Sequence, residues 1–133
     1  MAHLLLIDDD PVQLGVRETV LRRAGFTVSI ATTAEGAMAV MRTQPLADNL
    51  RVIITDHVMP GASGADFVRA LRGVHPVVPV IVISGLPEIE SEYQGLNVRC
   101  LTKPCPPQIM IDTVNRCIAQ ADDTRRPTKY PYS

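Results

Sequence analysis

Three short runs made only of apolar residues constrain this chain most. They are residues 4–7, 52–54 and 80–83, and each stops at a polar side chain. Short apolar runs without alternation are typical of strands buried on both faces of a sheet. Two further runs, at residues 26–30 and 97–100, alternate apolar and polar side chains as edge strands do. The sequence therefore predicts five strands, three central and two at the edges.

Helical patterns separate these strands. The first helix is expected from residue 11 to about residue 24, and others follow the capping residues at 32–35 and 63–66. A last helix is expected to end near residue 121, whereas the segment 87–94 allows only about two turns and should be the loosest element. The first helix is expected to face the core with Val12, Val16, Val20 and Ala24, with Leu14 and Leu21 beside them. Its solvent face is expected to carry Arg17, Glu18, Arg22 and Arg23.

Strands that alternate with helices predict an α/β fold with a doubly wound, five-stranded parallel sheet. If the apolar strands are central, the strand order is 2-1-3-4-5, as in flavodoxin-like sheets. The 133 residues suit one domain, expected to span residues 1–121, followed by a polar tail or linker stub at residues 122–133.

The composition disfavours several classes of protein. A formal net charge of -1 gives no electrostatic case for direct nucleic-acid binding or for an anionic membrane partner. No apolar run approaches the ~20 residues of a membrane span, and the N-terminus lacks a signal-peptide pattern, so a cytoplasmic location is expected. The three cysteines contain no CxxC pair, which argues against a zinc site or a disulfide framework.

Polar side chains follow four of the five predicted strands. Asp8 and Asp9 follow the first strand, Asp56 the third, Ser84 the fourth and Lys103 the fifth. In a parallel sheet these ends meet at one edge, where clustered carboxylates repel one another unless a cation lies among them. A hydroxyl and an ammonium group suit the oxygens of a transferring phosphoryl group. The sequence thus predicts a Mg²⁺-dependent phosphate site with a carboxylate nucleophile.

The chain resembles a known family in four motifs, which are LLLIDDDP, IITDHVMPGASG, VIVISG and LTKP. Over residues 3–121 the chain resembles the receiver domain of two-component response regulators. The resemblance implies that a metal ion binds directly to Asp9 and through water to Asp8. It also implies a cis peptide at Lys103-Pro104. The implied site consists of Asp56 as phosphoacceptor and metal ligand, Asp8, Asp9, the backbone carbonyl of Val58, and Ser84 and Lys103 on the phosphoryl oxygens.

The same resemblance implies a signalling switch rather than an enzyme in the usual sense. A sensor histidine kinase or phosphotransfer protein would give its phosphoryl group to Asp56, and the domain would assist both this transfer and the later hydrolysis. The signal would pass to a downstream protein or to an output domain beyond Ser133. Members of the family also form homodimers through the face made by the fourth helix, fifth strand and fifth helix.

Two positions depart from the family pattern. Cys100 stands where the family has a switch aromatic, and the segment between Ser84 and Lys103 is a few residues shorter. We therefore expect the signal to leave through ordering of residues 86–94. His57, beside the acceptor, is expected to be an exposed loop residue.

Two other functions compete with this interpretation. Asp8-x-Asp10-x-Val12 fits the nucleophile motif of phosphatases resembling the haloacid dehalogenase superfamily, but that function leaves Asp56 unexplained and lacks a later acidic metal motif. A receiver-like interaction module that never turns over phosphate is the other alternative, and reversible labelling of Asp56 separates it from a working switch.

Overall fold

In the part of the chain that the structure describes, five parallel strands form one sheet and four α-helices cover its two faces. The computed structural model describes residues 2–43, 49–59, 62–86 and 89–125. The strands are β1 (His3–Ile7), β2 (Thr27–Ala31), β3 (Leu50–Asp56), β4 (Val80–Ser84) and β5 (Val98–Thr102). The helices are α1 (Pro11–Arg23), α2 (Ala34–Met41), α3 (Gly64–Val74) and α4 (Pro107–Arg125). A two-residue antiparallel pair, Val58–Met59 with Ala62–Ser63, lies between β3 and α3.

The strand order is β2-β1-β3-β4-β5, which confirms the predicted order 2-1-3-4-5. The central strands β1, β3 and β4 are the three apolar runs, and their side chains feed one hydrophobic cluster on each face of the sheet. Because both faces are covered, nearly every residue of these strands is buried. The carboxyl ends of the central strands are therefore anchored in the hydrophobic core.

The two alternating runs are the edge strands, as predicted. In β2 the buried positions are Val28 and Ala31, while Ile30 is exposed on the outer side. In β5 the first four residues are all half-buried, because β4 covers only one side of the strand. Edge position explains why the alternation is imperfect in both.

Side-chain caps fix where the helices begin. Asp10 caps α1 through the backbone amides of Val12 and Gln13, so the predicted N-cap before Pro11 is confirmed. Thr33 caps α2 and Ser63 caps α3 in the same way. Each cap follows a strand or its short loop, and so the helices start close to the carboxyl edge of the sheet.

The predicted inward face of α1 is correct for Val20, which packs against the core, and wrong for Val12 and Val16. Val12 and Val16 are 75% and 58% exposed, whereas Leu14, Leu21 and Arg17 are buried. Residues 14, 17 and 21 share one face of a helix, and that face offers the two leucines to the core. Arg17, expected in solvent, is only 9% exposed because it points into the acidic end of the sheet.

The segment after β4 does not form an α-helix. A 3₁₀-helix spans Ile89–Tyr93, and both of its end residues are buried, whereas Leu86 is exposed. Residues 87 and 88 of the expected segment lie outside the described residues. Helix α4 continues to Arg125, four residues beyond the expected end, and residues 126–133 of the expected tail also lie outside the described part. Among the described helices, none is long and apolar enough to cross a membrane.

Candidate functional site

Three carboxylates meet at the carboxyl edge of the sheet. Asp56 is the last residue of β3, and Asp8 and Asp9 follow β1 directly. One oxygen from each of the three lies within 4.8 Å of the others. Asp8 is fully buried, Asp56 is 4% exposed and Asp9 is exposed to solvent. The expected convergence of these acids is confirmed, and the cluster opens to solvent on the Asp9 side.

The other two strand ends bring a cation and a hydroxyl to the same edge. Lys103, just after β5, places its Nζ 3.0 Å from Asp56 Oδ1. Ser84 is the buried last residue of β4, and its Oγ accepts a hydrogen bond from the Leu86 amide at 3.0 Å. The Lys103 amide donates to the Ser84 carbonyl at 2.8 Å, which ties the two strand ends together. The peptide between Lys103 and Pro104 is cis, as the resemblance implies.

Helix α1 adds two donors that the sequence analysis missed. Arg17 Nη1 lies 3.0 Å from Asp8 Oδ2 and 3.5 Å from Asp56 Oδ1. Gln13 Nε2 donates to Asp8 Oδ2 and, at 3.3 Å, to Asp56 Oδ2. Residues 13 and 17 are one turn apart and so share a helix face. That i, i+4 spacing of polar residues, directly after an acidic run, is the signal that could have revealed them.

Burial and the neighbouring acid change the proton affinity of this cluster. Burial, together with the nearby Asp8 carboxylate, raises the pKa of Asp56 from its ordinary 3.8 to about 6, although Lys103 opposes the rise. Burial alone would also raise the pKa of Asp8. Its contacts with Asp56, Gln13, the Asp10 amide and Arg17 outweigh burial and hold that pKa below the ordinary value.

The cluster suits a hard divalent cation. All of its side-chain donors are carboxylate oxygens, which Mg²⁺ prefers, and one of the acids is open to the water that Mg²⁺ retains. Within the described residues, Asp56 Oδ1 is a buried oxygen that accepts no hydrogen bond; its cationic neighbours approach it only as ion-pair partners. A buried oxygen that accepts no hydrogen bond, beside two other carboxylates, fits a metal ligand.

His57 is not the exposed loop residue that was expected. It is only 6% exposed, and its Nδ1 forms a hydrogen bond of 2.8 Å with the Tyr93 hydroxyl in the 3₁₀-helix. The two rings meet edge to face, and the His57 carbonyl accepts a hydrogen bond of 2.6 Å from the Gly64 amide. His57 therefore joins the carboxyl end of β3 to both α3 and the segment after β4.

The two remaining residues of interest, Val58 and Cys100, lie outside the acid cluster. Val58 begins the short antiparallel pair after β3, and its side chain is exposed. Cys100 is half-buried in β5, packs against the hydrophobic cluster that contains Tyr93, and burial raises the pKa of its thiol. The buried aromatic that bonds to His57 is thus Tyr93, which comes from the 3₁₀-helix and not from β5.

Taken as chemistry, the site presents a buried carboxylate between two cations and a nearby hydroxyl. A carboxylate can attack an electrophilic phosphorus, and the cations and a bound metal ion can balance the charge of the phosphoryl oxygens.

Known proteins share both the sequence pattern and the fold. Residues 4–115 match the family described as the response regulator receiver domain. The hydrogenase transcriptional regulatory protein HoxA of Cupriavidus necator is 32% identical over 122 residues, which make up 88% of this chain and 24% of HoxA. The chain spans about a quarter to a little over half of the curated relatives it matches.

Solved structures give the same result for the fold. A response regulator receiver domain protein from Clostridium thermocellum aligns with a TM-score of 0.86 at 24% identity, covering 93% of this chain and 99% of that one. The chemotaxis response regulator CheY4 of Vibrio cholerae aligns with a TM-score of 0.78 at 26% identity, covering 88% of this chain and 98% of that one.

Proposed function

This chain belongs to the response regulator receiver domain family of two-component signalling, and from that premise we propose that Asp56 is its phosphoacceptor. The observation that carries the proposal is the placement of Asp56: a buried carboxylate at the end of a central strand, with Lys103 Nζ at 3.0 Å and the hydroxyl-bearing end of β4 beside it. Phosphorylation of Asp56 would then be the event that switches the domain.

The transfer is a displacement at phosphorus. An Asp56 oxygen forms a bond to the phosphorus of the donor, the bond from that phosphorus to the donor breaks, and the donor leaves with the electron pair. Lys103, already paired with Asp56, would bind the phosphoryl oxygens as negative charge develops on them. The Ser84 hydroxyl would replace its contact with the Leu86 amide by a hydrogen bond to one of these oxygens. Water would later attack the phosphorus and release inorganic phosphate, which restores the carboxylate.

The acid cluster would hold Mg²⁺, with Asp9 and Asp56 as direct ligands, Asp8 acting through water and the Val58 carbonyl completing the set. When bound, the metal would neutralise the negative charge that accumulates on the phosphoryl oxygens. In this sense the domain assists its own phosphorylation and dephosphorylation, while the family as a whole acts as a signalling switch.

The proposed donor is a sensor histidine kinase or a phosphotransfer protein. Because the chain spans only part of the relatives it matches, and HoxA is named a transcriptional regulatory protein, the proposed receiver of the signal is an attached output domain or a separate downstream protein. We also propose that residues 1–121 are the switching unit. The homodimer through α4, β5 and the segment between β4 and β5 stays a prediction of the resemblance.

The competing phosphatase mechanism is disfavoured by the role of Asp10. That mechanism needs Asp10 as a free acid, but its side chain accepts hydrogen bonds from the Val12 and Gln13 amides as the N-cap of α1. Asp8 in turn accepts hydrogen bonds from Gln13, Arg17 and the Asp10 amide. Both acids are thus held by donors of α1 and its N-terminus, whereas Asp56 Oδ1 accepts no hydrogen bond and lies beside Lys103.

Intact-mass spectrometry after incubation with acetyl phosphate tests the proposal. We expect one phosphoryl adduct on the wild-type chain, dependent on Mg²⁺ and lost over time. Asp56→Asn should give no adduct, and Asp66→Asn, which changes an exposed acid on α3, should behave like the wild type. A folded wild-type protein that gains no adduct with Mg²⁺ present would support a receiver-like interaction module instead.

A further inference from the structure

Arg17 is a fixed cation inside the acid cluster. It reaches the cluster from α1, is 9% exposed, and pairs with Asp8 at 3.0 Å and with Asp56 at 3.5 Å. A guanidinium group keeps its charge at any physiological pH. The three acids therefore face two resident positive charges, Arg17 and Lys103, before any metal ion arrives.

Arg17 occupies an oxygen of Asp8 that a metal ion or its bound water would otherwise use. The two oxygens of Asp8 are both engaged: Oδ1 accepts from the Asp10 amide at 3.0 Å, and Oδ2 accepts from Arg17 at 3.0 Å and from Gln13. Oδ2 of this fully buried acid therefore has two donors before a metal ion or its bound water approaches. Metal binding that uses Oδ2 of Asp8 must displace the guanidinium group or share the oxygen with it.

We propose that Arg17 is a built-in counterion that competes with Mg²⁺ for the acid cluster and so weakens metal binding in the unphosphorylated protein. The proposal deepens, and rests on, the assignment of this cluster as a Mg²⁺ site. The physical cause is one extra positive charge a few ångströms from the metal position, in a region that is mostly shielded from water.

Removing that charge without removing the acids should tighten Mg²⁺ binding. For Arg17→Gln we expect the Kd of Mg²⁺ to fall at least about tenfold, since the repulsion between a unit charge and a divalent ion at ~5–6 Å changes affinity by roughly tenfold at the dielectric of water and by far more at an effective value of 20. Arg17→Lys keeps the charge and should leave the Kd within about threefold of the wild type. Arg69→Gln, which removes an exposed positive charge on α3, is the control for a general loss of charge.

Isothermal titration of each metal-free protein with MgCl₂ measures the Kd directly. The rise in Tm at saturating MgCl₂ provides a second measure, because a tighter ligand stabilises the native state more. Losing the buried partner of Asp8 lowers the stability of Arg17→Gln in EDTA, so far-UV circular dichroism must first show that it is folded.

A measurement on the wild type, which needs only the conservative Arg17→Lys for its assignment, guards against an Arg17→Gln variant that fails to fold. The Arg17 Nε–Hε resonance, assigned by its loss in Arg17→Lys, should shift and exchange faster with water as Mg²⁺ is added. An unmoved resonance in a protein that binds Mg²⁺ would overturn the proposal.

The remaining outcomes separate this inference from the proposed function. Equal or weaker Mg²⁺ binding by Arg17→Gln, in proteins that still acquire the Mg²⁺-dependent phosphoryl adduct, overturns the role of Arg17 alone. An absence of Mg²⁺ binding in every protein, together with no adduct on the wild type, overturns both.

Discussion

Replacing Asp56 by Asn should make the metal-free protein more stable at neutral pH. Burial and the Asp8 carboxylate raise the pKa of Asp56 from 3.8 to about 6, so the charged form of Asp56 costs free energy in the folded state. The stability that this group contributes is fully present below about pH 4 and is lost as the pH rises through about 6. The difference between the two pKa values corresponds to a loss of at most about 3 kcal/mol of unfolding free energy at pH 7.

Urea unfolding in EDTA at several pH values between about 4 and 7.5 checks this expectation. The free energy of unfolding of the wild type should fall across this range, while that of Asp56→Asn should fall much less. At the acidic end the two proteins should be nearly equal, and at the neutral end Asp56→Asn should be more stable. Asp8, whose pKa is held low, titrates at more acidic pH and does not act in this window.

Two controls make the result specific. Asp66→Asn removes an exposed acid and should change the free energy of unfolding by no more than about 0.5 kcal/mol. Saturating Mg²⁺ should narrow the gap between the wild type and Asp56→Asn, because only the native wild type gains the full metal contribution. If Asp56→Asn were less stable than the wild type at neutral pH in EDTA, the reasoning about the buried charge would be wrong.

Two further changes test how the acceptor end of β3 is held. A Cβ at Gly64 would collide with the Tyr93 hydroxyl and lie 3.0 Å from the His57 carbonyl oxygen, so Gly64→Ala should cost about 1–3 kcal/mol of unfolding free energy. Gly73→Ala, on the same helix in open space, should be neutral or stabilising by up to about 1 kcal/mol in the same urea assay, and equal effects would contradict the packing argument. Tyr93→Phe removes the hydrogen bond to His57 and should cost about 1–3 kcal/mol, with faster amide exchange in Ile89–Tyr93; unchanged exchange would show that this bond does not order the segment.

Tyr93 also bears on the prediction that the signal leaves through residues 86–94. Its bond to His57 links the residue after the acceptor to this segment, and Cys100, in the position of the family's switch aromatic, packs against the same hydrophobic cluster. The prediction therefore has a physical route, in which displacement of the acceptor end of β3 is felt at Tyr93. Amide exchange of residues 89–93 before and after phosphorylation measures it.

The sheet and its polar edge were predictable because each rests on local sequence. Leu4, Ile53 and Ile81 lie in apolar runs that only a two-sided strand can bury, and the residues that follow such strands meet at one edge in any parallel sheet. The same is true of Asp10, since its role as an N-cap depends only on the residues next to it. The strand order and the convergence of the acids follow from these features.

Arg17 could not be placed from the sequence because α1 carries two apolar rows. Val12, Val16 and Val20 form one row and Leu14 and Leu21 the other, and either could face the sheet. Packing of the leucines decides the rotation of the helix, and this rotation aims Arg17 at the acids. A charged residue on an apolar face is only recognisable once its partner from another strand is known.

His57 was missed for a related reason. Its partner, Tyr93, lies 36 residues away and arrives in a 3₁₀-helix that the sequence pattern barely specifies. Histidine is intermediate between buried and exposed residue types, so the type alone does not predict its burial, and the contact with Tyr93 is visible only in the fold. Contacts between loops thus remained beyond what local patterns can indicate.

The most direct measurement is the position of the phosphoryl group on the chain. After incubation with acetyl phosphate and Mg²⁺, reduction with borohydride converts an acyl phosphate on an aspartate to homoserine, and peptide mass spectrometry locates that residue. We expect the label at Asp56 and nowhere else in the acid cluster. Homoserine at Asp8, Asp9 or Asp10 instead, with Asp56 unmodified, would contradict the assignment of Asp56 as the phosphoacceptor.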